Sequence, residues 1–236
     1  MNIHSSPQMA NEAQLKARPS QPGLKRPVTK PVVSDKREAI LDAALELFVE
    51  RGFFGTAVPE IADKAKVGAG TIYRYFESKE ALVNAIYRQQ KMHFANVVLD
   101  GFPLSSIDST RDAVALRASA GPTLSTRELF RALWMGMAKF AIENTNAFVF
   151  LELHHHARYL DDESRAVENR MLDLFTGVVT KAQAQGELKV GNPRLLMGLV
   201  MGAFTGVIRS CVEIDTSLDS ADWKLAEQCI WEAVRA

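Results

Sequence analysis

The feature that most constrains this 236-residue chain is a pair of short helical segments within its first third. The sequence predicts that Thr56 caps the first segment and that Pro59 lies in its first turn. A break at 66–68 then precedes a second segment at 69–76. Proline is tolerated in a first helical turn, because the N–H that it lacks has no intrahelical partner there. Helices this short bury little surface and need neighbours to hold them. We therefore expect both segments to pack against longer helices.

Helical spacing of apolar residues recurs from Asp35 onward, and no window alternates apolar and polar residues as a half-buried strand does. The chain is therefore predicted to be all-α. Ser78 is placed to cap the helix that follows the two short segments. Glycine and proline divide the sequence into longer predicted helices at about 35–51, 78–94, 126–142, 146–159, 162–185, 193–214 and 220–234, with a weaker one at 111–118 and a stop at Gly121 and Pro122.

The 28 basic and 28 acidic residues cancel over the whole chain, but they are unevenly distributed. Residues 1–91 hold 14 Lys and Arg against 10 Asp and Glu, so the remainder carries the opposite excess. A basic front end suits a partner that carries phosphates. Residues 1–34 are rich in proline and polar residues, with five basic residues against Glu12. They predict a disordered basic tail that either contacts DNA or only solubilises the chain.

Cysteine usage and apolar runs favour a cytoplasmic protein without a membrane partner. Cys211 and Cys229 lie outside any CxxC or metal-spaced cluster. Residues 1–34 contain no continuous apolar stretch of the kind that forms a signal peptide or an anchor. The uncharged stretch 195–208 has 14 residues, too few to span a bilayer, so it predicts a buried helix.

Successive residues of an α-helix are 100° apart, which divides the second short segment into two faces. Gly70, Tyr73 and Arg74 fall on one arc. Ile72 points nearly opposite Arg74 and is placed to join Ala62 in the core. Two short helices joined by a turn form a helix-turn-helix, whose second helix enters the major groove of DNA. The sequence therefore predicts a free helix face that reads DNA.

The same residues resemble the signature of the TetR (tetracycline-repressor-like) family of transcriptional regulators. The resemblance covers about 35–87 and is densest in the runs GTIY at 70–73, YF at 75–76 and SK at 78–79. It implies a homodimer whose two recognition helices enter successive major grooves of a near-palindromic operator. Over the rest of the chain, only the helical content and the length agree with the family.

Carried over residue by residue, the resemblance assigns DNA contacts to six positions, and three neighbouring residues bring the predicted set to nine. Phosphate contacts position a protein on DNA, and base contacts specify the sequence. An arginine that engages O6 and N7 of guanine contributes ~1–3 kcal/mol of discrimination, and the alternative for Arg74 is a phosphate contact alone. The resemblance implies phosphate contacts from Thr56, Thr71, Tyr75 and Lys79 and base contacts from Tyr73 and Arg74, and Lys66, Ala69 and Gly70 complete the predicted set.

Two positions of the turn depart from the family pattern. Lys66 stands where the family usually has glycine, and Gly68 where it usually has serine. A left-handed conformation at Lys66 costs ~1–2 kcal/mol, so either the turn differs or the lysine accepts the strain. Gly68 still caps a helix nearly as well as serine, but it lacks a hydroxyl. We therefore expect Tyr73, Arg74 and DNA shape to carry most of the readout.

Gly198, Gly202 and Gly206 repeat at every fourth residue of one predicted helix. Such spacing lets another helix approach closely. The resemblance implies that the partner is a second subunit, and that the helices at 162–185 and 193–214 form the dimer interface. The alternative is close packing within one subunit.

Large apolar residues in the middle of the chain predict either an ordinary core or the lining of an effector cavity. Three consecutive residues, His154, His155 and His156, cannot all reach one metal ion from a helix, so no metal site is predicted. An effector contact and ordinary packing are the remaining alternatives for these histidines. The candidate ligand contacts are Phe94, Trp134, Met137, Phe140, Phe148, Leu151, His155 and Phe175.

The predicted organisation is a tail at 1–34, a three-helix helix-turn-helix domain at 35–90, and a larger effector-binding and dimerisation domain at 91–236. The expected function is a repressor that a small, largely apolar effector releases from a palindromic operator. No nucleophile elbow, phosphate loop or HExxH motif is present, so no enzyme and no cofactor are predicted. A small-molecule enzyme and a helical interaction module that does not bind DNA are the alternatives.

Overall fold

The computed structural model describes residues 33–100, 124–154, 156, 158–214, 216 and 218–236. These residues are helical and contain no β-strand beyond one isolated bridge, so the all-α prediction is confirmed. The predicted helix at 111–118, its stop at Gly121 and Pro122, and His155 lie outside the described residues, as does almost all of the predicted tail. The helices are α1 (Val33–Arg51), α2 (Val58–Lys64), α3 (Ala69–Tyr75), α4 (Lys79–Val98), α5 (Thr126–Glu143), α6 (Thr145–Phe148), α7 (Asp162–Ala184), α8 (Pro193–Glu213) and α9 (Ser220–Val234).

The start of α4 is capped as predicted, and the start of α2 is not. The Ser78 hydroxyl accepts a hydrogen bond from the Ala81 N–H at 3.0 Å. At α2 the N-cap is Ala57 rather than Thr56, because the Glu60 carboxylate accepts the Ala57 N–H at 2.8 Å. Pro59 does lie in the first turn. The capping prediction for Thr56 is therefore wrong by one residue.

The predicted helix at 146–159 is interrupted. α6 ends at Phe148, a π-helical turn covers Val149–Leu153, and His154 is extended with φ −101° and ψ 144°. The wider turn places Glu152 against Lys91 of α4. It also lets His156 turn inward, where only 6% of its surface is exposed. The reasoning that treated three histidines as neighbours on one helix is therefore wrong.

One core runs through the helix-turn-helix and the C-terminal helices. It includes Ile40, Phe48 and Leu82 near the front of the chain and Trp134 and Phe204 further on. The described residues from Val33 onward belong to a single compact unit. α4 passes without interruption through residue 90, where the sequence analysis places a domain boundary, so both regions share one helix.

α4 and α5 cross at close range, which fixes the far half of α4. A Cβ added to Gly136 of α5 would lie 3.0 Å from both the Cα and the carbonyl oxygen of Val98. Such distances are shorter than nearly all Cβ contacts in proteins, so any larger residue here would require the Val98 backbone to shift by a few tenths of an ångström. The near half of α4 packs on α1 through Leu82 and Ile86, which are fully buried. α4 therefore packs against both regions.

Candidate DNA-binding surface and apolar cavity

The outer face of α3 is exposed, as predicted. Tyr73 is 56% exposed, and Arg74, Ala69 and Gly70 also lie at the surface. Ile72 points inward and is only 2% exposed, which anchors the helix in the core. We call the exposed set of Ala69, Gly70, Tyr73 and Arg74 the recognition face. Nothing lies within 4 Å of a Cβ added at Gly70, so the helix backbone is open to a close partner.

The turn between α2 and α3 uses a strained lysine. Lys66 has φ 55°, the left-handed conformation in which a side chain costs ~1–2 kcal/mol. The Val67 N–H then donates to the Ala62 carbonyl at 2.9 Å, which closes the turn. Gly68 is the N-cap of α3 and offers no side-chain cap. Of the two outcomes expected at Lys66, the lysine accepts the strain and keeps an exposed charge beside α3.

The Thr56 side chain points into the protein rather than toward solvent. It is only 2% exposed, and its hydroxyl is within 3.1 Å of the Leu47 carbonyl oxygen and 2.9 Å of the Gly52 carbonyl oxygen. A hydroxyl has a single proton to donate, and both acceptors are backbone carbonyls at the C-terminal end of α1. The Thr56 hydroxyl is therefore not placed to hold a phosphate, because it stabilises the turn in front of α2.

Lys79 also supports this turn. Its ammonium donates to the carbonyl oxygens of Phe53 at 2.8 Å and Thr56 at 2.9 Å, and lies 4.3 Å from the centre of the Phe53 ring. An ammonium has three N–H groups, so these two bonds do not use its full donor capacity. The phosphate contacts of Lys79, Thr71 and Tyr75 stay predictions, and the side chains of Thr71 and Tyr75 are half-buried.

An apolar cavity of about 340 Å³ lies among α4, α5, α7, α8 and α9. Four of the predicted ligand contacts line it: Phe94, Trp134, Met137 and Phe175. Phe140, Phe148 and Leu151 do not line it, because they are buried in the core. Sequence reasoning missed the other lining residues, which include Thr126, Leu129, Phe130 and Leu133 on α5 and Met171, Val178, Met197, Met201 and Trp231 on later helices. The apolar stripe on α5 at helical spacing could have indicated the residues of that helix.

One end of the cavity is charged. Lys91 Nζ donates to Glu152 Oε1 at 2.9 Å, and the two side chains are only 11% and 18% exposed. Glu168 of α7 is a further lining residue. Burial and the carboxylates of Glu168 and Glu152 raise the pKa of the nearby Tyr87 hydroxyl. This ion pair was not predicted, because it depends on the π-helical turn.

His156 is held as a neutral ring beside the charged end. Its Nε2 contacts the Phe150 carbonyl oxygen, which can only accept, so Nε2 carries the proton. Its Nδ1 then accepts the Tyr159 hydroxyl at 2.7 Å. Burial lowers the pKa of His156 to about 4. Within the described residues, no three His, Cys, Asp or Glu side chains are placed to hold a metal ion.

The glycine face of α8 is open in the single chain. Nothing lies within 4 Å of a Cβ added at Gly198, Gly202 or Gly206, and the neighbouring Leu195 and Leu199 are 61% and 54% exposed. The glycines are therefore not used for packing within the described part of one subunit. α8 has 21 residues and, of the described helices, is the one long and apolar enough to cross a membrane, so the length argument based on 14 residues does not hold.

Comparisons with known proteins give a consistent assignment. Residues 40–86 match the family model for bacterial regulatory proteins of the tetR family, and 112–236 match the tetracyclin repressor-like C-terminal domain. The HTH-type transcriptional repressor KstR2 of Rhodococcus jostii is 28% identical over 155 residues, which cover 55% of this chain and 76% of the relative. The fatty acid metabolism regulator protein of Bacillus subtilis is 25% identical over 182 residues, covering 76% and 85%.

Solved structures share the fold. A TetR family transcription regulator from Marinobacter aquaeolei superposes with a TM-score of 0.68 at 25% identity, covering 86% of this chain and 96% of that one. The regulator FadR of Bacillus subtilis, in complex with stearoyl-CoA, gives 0.59 at 21% identity and covers 83% and 95%, which is a likeness of fold alone. Because the C-terminal family model by itself spans more than half of the sequence, the protein belongs to the TetR family of bacterial transcriptional regulators.

Proposed function

We propose that the protein is a cytoplasmic repressor that binds a palindromic operator as a homodimer and leaves it when a small, largely apolar effector binds. The observation that carries this proposal is the recognition face, where Tyr73 and Arg74 are exposed on a helix anchored by a buried Ile72. With Ala69 and Gly70 in front, the backbone of α3 can come close to the groove but forms few hydrogen bonds there. Arg74 is proposed to contact a base and Tyr73 to lie beside it.

The proposed dimer interface is the open face of α8 together with α7. Exposed leucines beside three glycines form an apolar strip that a second copy of the same strip would cover. Gly177 of α7 likewise has nothing within 4 Å of an added Cβ. A two-fold interface uses one patch on both subunits, which suits a self-complementary strip. A Gly202→Arg variant is expected to be monomeric by analytical ultracentrifugation and to lose operator binding, whereas Lys139→Ala, at an exposed position of α5, should stay dimeric.

The effector is proposed to place an uncharged, mostly hydrocarbon part in the cavity. Among the described lining residues the charges are Lys91, already paired with Glu152, and Glu168. The described cavity wall therefore offers no unpaired positive charge to a carboxylate of a ligand. The indole N–H of Trp134 has no acceptor among the described residues, and a carbonyl oxygen of a ligand would supply one. The names of two relatives, a fatty acid metabolism regulator and FadR with stearoyl-CoA, support an acyl compound.

Operator binding is tested by selecting sites from random DNA and from the DNA beside the protein's own gene. We expect a palindromic site whose affinity falls steeply with salt, because phosphate contacts release counterions. Binding that is absent or independent of salt would contradict the proposal.

Effector chemistry is tested with two probes that share one hydrocarbon chain, methyl decanoate and decanoate. The ester should displace an environment-sensitive dye from the cavity and release the operator at least about tenfold more effectively than the acid, because the acid brings a buried charge without a partner. Equal action of both, or stronger action of decanoate, would contradict an uncharged cavity ligand.

A further inference from the structure

The charged end of the cavity lies beside a ring that belongs to neither the cavity nor the recognition face. Lys91 Nζ lies 5.6 Å from the centre of the Tyr87 ring, one helical turn earlier on α4. Tyr87 is only 2% exposed and is not among the cavity lining residues. A group that draws the Lys91 ammonium away from Glu152 therefore also changes the contact between Lys91 and Tyr87.

From Tyr87, ring contacts continue toward the helix-turn-helix. The Tyr87 and His156 rings are 5.3 Å apart, His156 Nδ1 accepts the Tyr159 hydroxyl at 2.7 Å, and the Tyr159 ring stacks on Phe53 with centres 4.4 Å apart. We call these four residues, Tyr87, His156, Tyr159 and Phe53, the ring relay. Every step is a direct contact between side chains, so no gap separates the cavity end from the α1–α2 turn.

The far end of the ring relay meets the turn that positions the DNA-binding helices. The Lys79 ammonium donates to the Phe53 carbonyl, lies over the Phe53 ring, and donates to the Thr56 carbonyl directly before α2. The Phe53 ring thus contacts both Tyr159 and Lys79. A shift of Phe53 would alter the bonds that hold the start of α2, and with it the placement of α3.

The π-helical turn contributes one residue to the cavity and one to the ring relay's surroundings. It contributes Glu152 to the cavity wall, and the carbonyl oxygen of its Phe150 accepts the His156 Nε2 proton. π-helical turns are rare, and they occur often at functional sites. The histidine stays neutral near pH 7, since burial lowers its pKa to about 4, so the relay does not depend on protonation there.

A separate clamp holds the frame around the ring relay. The Asn84 side-chain amide donates to the Tyr159 carbonyl at 2.7 Å, and its oxygen accepts the Asp161 N–H at 2.9 Å. Arg88 donates to the Asp161 carboxylate at 2.9 Å. These bonds tie α4 to the start of α7 and hold the backbone on which Tyr159 is mounted.

We propose that Lys91 and Glu152 sense a neutral hydrogen-bond acceptor on the effector, such as an ester or thioester carbonyl, and that the ring relay transmits this event to the α1–α2 turn. The proposal rests on the proposed effector function of the cavity. Tyr159 and His156 are positioning residues in this scheme, because they touch neither DNA nor ligand. Coupling between such sites has a typical size of about 5- to 150-fold in affinity.

The test uses Glu152→Gln, which breaks the ion pair without any ligand, and Tyr159→Phe, which removes only the hydroxyl that His156 accepts. Operator affinity and amide hydrogen exchange at 52–57 are measured for the wild type, each variant and the double variant. Glu152→Gln should weaken operator binding at least about fivefold and speed exchange at 52–57. In the Tyr159→Phe background the same substitution should change affinity less than about twofold. Glu143→Gln, the same change on an exposed carboxylate, should have no effect.

Two results would overturn the relay: no effect of Glu152→Gln on either quantity, or an equal effect with and without the Tyr159 hydroxyl. A purely structural role for Tyr159 would lower the melting temperature without removing the response to Glu152→Gln, so this comparison distinguishes it. If the wild type selects no operator, the proposed function fails. The exchange comparison at 52–57 needs no DNA and still decides the relay.

Discussion

In the helix-turn-helix, the residues that fix the place of each side chain are near neighbours in sequence, whereas around the cavity they lie on five helices spread along the rest of the chain. Ile72 is buried and Arg74 exposed because they occupy nearly opposite sides of one short helix. Phe175 lines the cavity and Phe140 does not, because only Phe175 faces the space that remains between the packed helices. The comparison teaches that surface readout is encoded locally, and that a cavity exists only after the helices have packed.

The largest expected effect is on stability, and it should differ between an aromatic residue of the core and one that lines the cavity. Phe140→Ala should lower the free energy of unfolding by about 3–5 kcal/mol, because it leaves a void in a fully buried site. Phe175→Ala enlarges an existing cavity and should cost clearly less. Urea unfolding measures both, and dye displacement should respond mainly to Phe175→Ala. Equal stability losses would remove the distinction between core and cavity.

The pH dependence of stability tests the buried histidine between the two regions. Burial lowers the pKa of His156 to about 4, whereas an unfolded histidine titrates near 6.5. The unfolded state therefore binds the proton first, and the stability present above pH 6.5 is lost as the pH falls toward 4. The loss attributable to this residue should reach up to about 3 kcal/mol. His156→Gln should flatten the slope over that interval, and an unchanged slope would contradict the burial of a neutral ring.

Substitutions at Thr56 test whether its hydroxyl stabilises the fold or contacts a DNA phosphate. Thr56→Val keeps the shape but removes the donor to buried carbonyls, so it should cost about 1–2 kcal/mol of stability. Thr56→Ser should retain most of that stability. If Thr56→Val left stability unchanged and lowered the salt dependence of operator binding by one phosphate contact, the hydroxyl would belong to the DNA surface after all.

The smallest expected effect concerns the strained turn. Lys66→Gly relieves ~1–2 kcal/mol of strain but makes the unfolded chain more flexible at a cost of about 0.5–1 kcal/mol, so the net gain in stability should lie between zero and about 1.5 kcal/mol. Lys66→Ala loses the same charge and keeps the strain. Both should reduce the salt slope of operator binding by about one if Lys66 meets a phosphate. A loss of stability in Lys66→Gly would contradict the strain.

The sequence was sufficient to predict the long helices, because capping residues and apolar spacing are local features. α9 begins and ends at the predicted residues, and Ser78 caps α4 as expected. The sequence was not sufficient to predict the conformation of residues 149–154, because the π-helical turn there is stabilised by contacts with α4 that no local sequence pattern shows. For the same reason, helical spacing could indicate α5 residues such as Leu133 as an apolar stripe but not which stripe faces an empty space.

The central claim is that the recognition face of α3 reads the operator. Its most direct test is a titration of the wild type and of Tyr73→Ala/Arg74→Ala against the selected operator and a scrambled duplex at one fixed salt concentration. Both side chains are exposed, so the double variant should keep its melting temperature, lose at least about tenfold in operator affinity, and bind the two duplexes alike. A double variant that still prefers the operator as strongly as the wild type would contradict the account.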